Sequence, residues 1–320
     1  MEQERMETSV QNKFSLHNHI SRKSKQRKGK TLFIVCILAI PILNWLVFWL
    51  YVNINSILLA FQIETANGIT WTLTENFKIF FEALTESGND LNISIGNTAL
   101  YFLSGLLITM PLSLFISYFL SKKILGYQFF RIVFYLPCII TPIILTSVYD
   151  QLLLPNGPLG VLFKKLSLDY PTNGPLYEAN SHLPTFTIIL YTILTGFGGD
   201  MLIFSGSMSR IPTEIYESAK LDGCGPLREV VTIVIPLIWS TISTKIVLLM
   251  SGIFSASGPI MLLVTGENNT STIAFWIYDI VLGEQDYNKV SAAGLCFTLI
   301  IIPVILGVRA FMEKFSDVEY

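Results

Sequence analysis

Six stretches of about twenty residues, apolar and nearly free of charge, limit what this chain can fold into more than any other feature of its sequence. An α-helix needs about 20 apolar residues, at ~1.5 Å each, to cross a hydrocarbon layer ~30 Å thick. The candidate spans run from about Leu32 to Val52, Asn97 to Leu120, Phe129 to Asp150, Pro184 to Met208, Ile233 onward, and Val290 to Val308. Trp45, Trp49 and Tyr51 lie towards one end of the first as interface anchors. The fifth stays apolar past Ser257-Gly258-Pro259 to Val264, which reads as a broken or re-entrant piece that only protein or a water-filled cavity can line. Charged residues make up 14% of the 320, where a soluble domain carries about a quarter. A single water-soluble globule and a disordered chain are both excluded. The predicted fold class is an all-α membrane protein with six transmembrane helices.

Lys and Arg set the expected orientation. Sixteen of the 21 fall in the N-terminal tail, the loops between spans two and three and between four and five, and the C-terminus. Lys78, Lys164, Lys165 and Lys289 fall on the other side, and Lys245 lies inside a span. Both termini are therefore expected in the cytosol. This gives a basic cytosolic tail over 1–30, a transmembrane domain over 31–315 and a cytosolic end over 316–320. The tail reads as a topogenic signal with attraction to anionic lipid, not as a nucleic-acid site. The first span is too long, and starts too far in, for a cleavable signal peptide.

The loops opposite the termini are short. Phe77, Phe80 and Phe81 at helical spacing predict an interfacial helix within Asn53 to Gly96, and Leu159 to Leu166 predicts another. Neither loop holds a folded domain with its own core, so capture of a ligand must come from another chain. Four well-separated cysteines, with no CxxC pair and no Cys/His cluster, give neither a disulfide framework nor a metal site.

One loop on the terminal side, Ser209 to Thr232, has internal structure. Ile211-Pro212-Thr213-Glu214 reads as a helix start, with Pro at the first helical position and an acid in the first turn. The helix continues to Leu221, and Gly223 can stop it as a left-handed cap. Gly225-Pro226 then breaks the chain before a second helical run towards Ile235-Pro236. Two short helices at a glycine elbow make a protrusion suited to docking on a soluble partner.

Here the sequence resembles a known family. Glu217-Ser218-Ala219, three residues, Gly223, nine residues, then Ile233-Val234-Ile235-Pro236 is similar to the EAA loop of binding-protein-dependent ABC import permeases. Ser218 and Ile235 stand where that pattern has Ala and Leu. The carbohydrate branch is resembled further in Asn97-Thr98, Phe129-Phe130-Arg131, Leu136-Pro137, Met201-Leu202-Ile203-Phe204 and Val264-Thr265-Gly266. Relatives often continue that last motif with Gly-Gly-Pro, where this chain has Glu267-Asn268-Asn269.

The resemblance implies a type I importer permease in a bacterial cell membrane. A second homologous permease, usually a different chain, would pack beside it as a heterodimer. Two cytosolic ATPase subunits would dock on the loop at 209–236, and an extracytoplasmic binding protein would deliver the solute. Glu214, Glu217, Ala219, Asp222, Gly223 and Pro236 are the coupling residues this implies. ATP and Mg would be bound by the partner ATPase, since the chain has no GxxxxGK[ST] loop. It would bind no cofactor and catalyse no reaction of its own. A carbohydrate is the implied solute, an oligosaccharide first. A permease of this type for a non-sugar solute is the alternative.

Polar groups inside spans point to a pathway. Gly196-Phe197-Gly198-Gly199-Asp200 reads as an interruption of span four, followed by Ser205. Phe197 can stack on a sugar and Asp200 can accept from its hydroxyls, while Gly198 and Gly199 allow close approach either of solute or of another helix. Lys245 sits nine residues inside Pro236, and Asp200 nine inside Ser209, so the two charges are expected at similar depth. They would pair, unless Lys245 meets the partner permease or snorkels instead. Ser255 and Ser257 mark a second candidate lining. A membrane-embedded enzyme lacks support, with no HExxH, no GxSxG and no carboxylate pair within a span. A secondary carrier would need an inverted repeat, and none is seen.

Overall fold

The computed structural model describes residues 30–31, 33–65, 68–86, 89–179, 181–255 and 258–314. The basic tail up to residue 29, Ser257 and the end at 316–320 lie outside them. The first helix, α1, runs over Phe33–Leu59, beyond the Val52 expected from hydropathy, and none of its most apolar window is buried. A short antiparallel hairpin follows, β1 (Gln62–Thr65) with β2 (Gly68–Trp71), in register Gln62 opposite Trp71. It was not foreseen in the sequence. The expected interfacial helix is α2 (Glu75–Thr85), and Asn76 ties it to the hairpin by donating to the carbonyls of Ala60 and Gln62 at 2.9 and 2.8 Å.

Next comes α3 (Asp90–Ser121), a single 32-residue helix with a π-turn at Gly105–Thr109. The third expected span is not one straight helix. Tyr127–Ile139 (α4) and the following Pro142–Lys165 segment meet at 102°. Pro142 removes a donor and pushes its predecessor out of the helical region, and Ile140 and Thr141 are extended with ψ of 139° and 131°. That segment consists of α5 (Pro142–Leu153) and α6 (Pro158–Lys165), the latter being the helix expected at Leu159 to Leu166.

Helix α7 (Leu183–Met208) is continuous, so the Gly196 to Asp200 run does not interrupt it. Gly198 serves helix packing instead. A Cβ there would lie 2.2 Å from the Phe134 carbonyl oxygen of α4. Helices α3 and α7 run parallel and are joined by hydroxyls, with Ser113 donating to the Phe197 carbonyl at 3.1 Å and Ser117 to that of Met201 at 2.9 Å.

After the loop come α8 (Thr213–Leu221) and α9 (Pro226–Leu237), then α10 (Trp239–Ser251). The fifth span is likewise bent, by 78° between α9 and α10. The tail of that span returns through a 3-10 turn at Ile253–Ser255 and α11 (Gly258–Leu263), with protein lining it: Ile260 is fully buried against Ile188 and Leu176. Helices α12 (Ile273–Asp279) and α13 (Tyr287–Glu313) complete the chain. Among the described residues four helices are long and apolar enough to cross a membrane, or up to six if each bent pair is one span.

Among the described residues three cores hold these elements. One, at the hairpin end, gathers Tyr101, Ile188, Tyr191, Ile260 and Phe275. A second, at the opposite end beneath α8, gathers Leu114, Tyr118, Phe204, Met208, Val230 and Val234. The third packs Phe80 of α2 against Trp276 and Phe297.

Candidate functional site

The loop end is built around α8. Glu214 in its first turn suits the positive end of the helix dipole. Pro212 precedes the helix instead of occupying its first position. The helix stops where Gly223 takes φ of +71° and the Cys224 amide reaches back to the Ala219 carbonyl at 2.9 Å. Only glycine adopts that conformation freely, which is why the elbow falls there. The two faces of α8 differ. Ala219 is buried and Tyr216 half-buried against the second core, while Glu214, Glu217 and Asp222 face outward. At the tip, Leu221 is 89% exposed and Leu227 68%. Pro236 lies in the last turn of α9, half-buried, just before the bend.

Beneath α8, Lys122 at the end of α3 forms an ion pair with Glu229 of α9, whose side chain is only 7% exposed. The same ammonium lies 3.9 Å above the Tyr216 ring and 5.4 Å from that of Tyr118. Burial, and after it the charge of Glu229, push the Tyr216 phenol above its ordinary value. Neither residue of this pair stood out in the sequence, where Lys122 counted only towards topology.

In the middle of the bundle Asp200 of α7 and Lys245 of α10 form an ion pair, as their matching depth suggested. Their side chains are 15% and 21% exposed. Both line a cavity of about 260 Å³, together with Tyr101, Ser104, Thr109 and Thr192. The Tyr101 hydroxyl is buried without a hydrogen-bond partner among the described residues. Lys245 also lines a second cavity of about 210 Å³ with Ser240, Thr241 and Thr244. Ser240 and Thr241 continue into a third, of about 320 Å³, bounded by Arg210 and Ile215 under α8. The pair thus stands between a space facing the hairpin end and two that lead to the loop.

The other candidates fall elsewhere. Phe197 is buried against Phe134, with ring centroids 5.5 Å apart, and Gly198 is covered by that same residue's backbone. Gly199 is half-buried with the Cys138 sulfur 3.9 Å from where its Cβ would be. The Ser205 carbonyl accepts from Ser209 at 2.7 Å, one turn past the ion pair. Ser255 is exposed in the 3-10 turn, and Ser257 lies outside the described residues. Tyr101 and Thr109 of the cavity wall were missed, although a tyrosine among the apolar residues of a span is a readable signal.

At the hairpin end, the two motif pieces Asn97-Thr98 and Val264-Thr265-Gly266 prove to be joined through the loop after the latter. Asn97 donates to the carbonyls of Asn269 and Ser271 at 2.7 and 2.8 Å. The Thr98 hydroxyl accepts from the Ile273 amide at 3.0 Å. Asn268 and Asn269 are left-handed, with φ of 56° and 59°, a conformation asparagine tolerates better than other side chains.

No family model matches the sequence. Among curated proteins, it is 26% identical over 186 residues to the diacetylchitobiose uptake system permease protein of Streptomyces coelicolor, covering 57% of this chain and 52% of that one. It is 23% identical over 291 residues to the probable starch degradation products transport system permease protein of Thermoanaerobacterium thermosulfurigenes, covering 86% and 97%. The chain thus spans about half the length of the first of these relatives and nearly all of the second. Among solved structures, a bacterial ABC transporter involved in the import of the acidic polysaccharide alginate superposes with a TM-score of 0.76 at 20% identity, over 90% of this chain and 98% of that one. The alginate transporter in complex with a pentasaccharide-bound periplasmic protein gives 0.74 at 19%, over 91% and 98%. The curated proteins it resembles are permease subunits of ABC transport systems, and its fold is that of the alginate importer structure.

Proposed function

We propose that this permease forms half of the translocation pathway of an ATP-driven importer for a carbohydrate, an oligosaccharide before a monosaccharide. It stands in a bacterial cytoplasmic membrane as six spans, counting each bent pair as one, with both termini in the cytosol. A second, homologous permease completes the pathway, an extracytoplasmic binding protein supplies the solute, and two cytosolic ATPase subunits holding ATP and Mg engage α8. The observation that carries this reading is the two-faced α8. Its inner side rests on the helices that line the three cavities, while Glu214, Glu217 and Leu221 project away from the bundle.

The cavity chemistry favours a neutral polyhydroxy solute. The Asp200 and Lys245 charges satisfy each other, and Tyr101, Ser104, Thr109 and Thr192 add hydroxyls. Import then requires the Asp200–Lys245 barrier to open as the ATPases close, a rigid-body form of alternating access. Affinity purification of the tagged chain from its native membrane tests the coupling. An ATPase co-purifies with the parent and is lost from Glu217→Arg. A Glu217→Arg complex that keeps both its ATPase and its solute uptake refutes the reading.

A further inference from the structure

The Lys122–Glu229 pair lies outside any pathway, is buried on its acidic side, and joins three separate segments of the chain. Lys122 caps α3, Tyr216 belongs to α8 and Glu229 to α9. Removing a hydrated ammonium and carboxylate to this position is costly unless the pairing geometry is good. A docking loop that needed only to be attached is already held by the apolar side chains of Val230, Val234 and Tyr118. The ion pair adds direction to that attachment. A lysine seated on the Tyr216 ring and against the Glu229 carboxylate fixes where α8 and α9 sit over the end of α3.

What lies on each side of this joint gives it a use. Helix α3 is one continuous element from Lys122 back to the cavity wall at Tyr101 and Thr109, and its Ser113 and Ser117 hydroxyls hold α7, which carries Asp200. On the other side, α9 ends at Leu237, and across Ile238 the chain bends by 78° into α10, which carries Lys245. The loop is therefore pinned to the Asp200 unit and hinged to the Lys245 helix.

We infer that Lys122 and Glu229 are positioning residues that lock α8 and α9 to the α3–α7 unit, so that movement of the loop turns at Ile238 and parts Asp200 from Lys245. The inference rests on α8 being the helix that meets the ATPase. If the joint were absent, the loop would slide over the bundle and ATPase closure would not reach the cavity.

The test uses the complete purified transporter in lipid nanodiscs, its native cysteines in this chain replaced by serine and Thr244→Cys introduced. Thr244 is exposed and lines the cavity next to Lys245. The rate of maleimide labelling is compared without nucleotide and after trapping with Mg-ATP and vanadate. In the parent the two rates differ at least fivefold. In Lys122→Gln and Glu229→Gln the difference falls below twofold, while the ATPase remains bound and hydrolyses ATP within twofold of the parent. The charge exchange Lys122→Glu with Glu229→Lys restores the difference. The inference is overturned if either single variant keeps the fivefold change, if the single variants lose the ATPase altogether, or if the assembled exchange variant fails to recover. A parent complex without any ATPase overturns the coupling reading itself, and this inference with it.

Discussion

Neutralising Asp200 alone, or Lys245 alone, should cost far more than neutralising both. Two unit charges 4 Å apart attract by about 4 kcal/mol at an effective dielectric near 20. With side-chain exposures of 15% and 21%, the charge left behind in Asp200→Asn or Lys245→Met is mostly cut off from water. Removing one partner of a buried pair costs about 3–5 kcal/mol, and the residual exposure places this site near the lower end, about 3 kcal/mol. At about 2–4 °C of melting temperature per kcal/mol for a large domain, each single variant should melt roughly 6–12 °C below the parent. The double variant should recover most of that loss, because replacing both charges by neutral groups is often close to neutral. The assay is thermal unfolding in nanodiscs at one fixed scan rate, read by tryptophan fluorescence. Additive losses in the double variant, or single variants within about 2 °C of the parent, would refute the pairing. Exchanging the two residues should restore uptake lost in the single variants.

Gly198→Ala should destabilise by about 1–3 kcal/mol through overpacking, because its Cβ would meet the Phe134 carbonyl at 2.2 Å, whereas Gly206→Ala meets nothing and should melt with the parent. Gly266→Ala should loosen the 264–272 loop, since the residue has φ of +78° and its Cβ would fall 2.0 Å from the Phe275 ring; faster proteolysis of that loop is the readout. Asn97→Ala leaves the carbonyls of Asn269 and Ser271 without that donor and should cost about 1–3 kcal/mol, seen as a lower melting temperature. The raised Tyr216 phenol contributes stability that is complete below its ordinary value of 10.0 and lost as pH rises through its higher folded value. Tyr216→Phe should therefore flatten the alkaline fall in melting temperature, and an unchanged slope would refute that contribution.

What the sequence revealed follows from which signals are local. The spans and α8 were readable because helix length, apolar content, the Pro212 start and the Gly223 stop all act within a few residues. Asp200 and Lys245 were readable as neighbours only because each lies a fixed number of turns inside a helix end. The bends at Pro142 and Ile238 were not, since a proline in an apolar run is compatible with a kink or with a full break, and the packing around it decides. The Gly196 to Asp200 run looked like an interruption by composition, yet α4 needs a Cβ-free surface there and holds the helix intact. The hairpin, the serine bonds between α3 and α7, and Lys122 with Glu229 join residues far apart in the chain, and no local pattern announces them.

The bare flank of α1 bears on how the protein is made. Its most apolar window has a mean hydropathy of 2.5 with none of it buried, so lipid is what stabilises that part of the helix, while the turns at Tyr51–Leu59 pack on α13. Synthesis at about 5–20 residues per second takes roughly 13–50 s to add the residues that follow Leu59. During that interval α1 can already reside in the bilayer. The helices bearing Asp200 and Lys245 are different, because each brings a charge that the other neutralises. Insertion of this chain is thus ordered from its most self-sufficient helix to its most dependent ones, and the polar contacts between the latter record that the helices have met their proper neighbours.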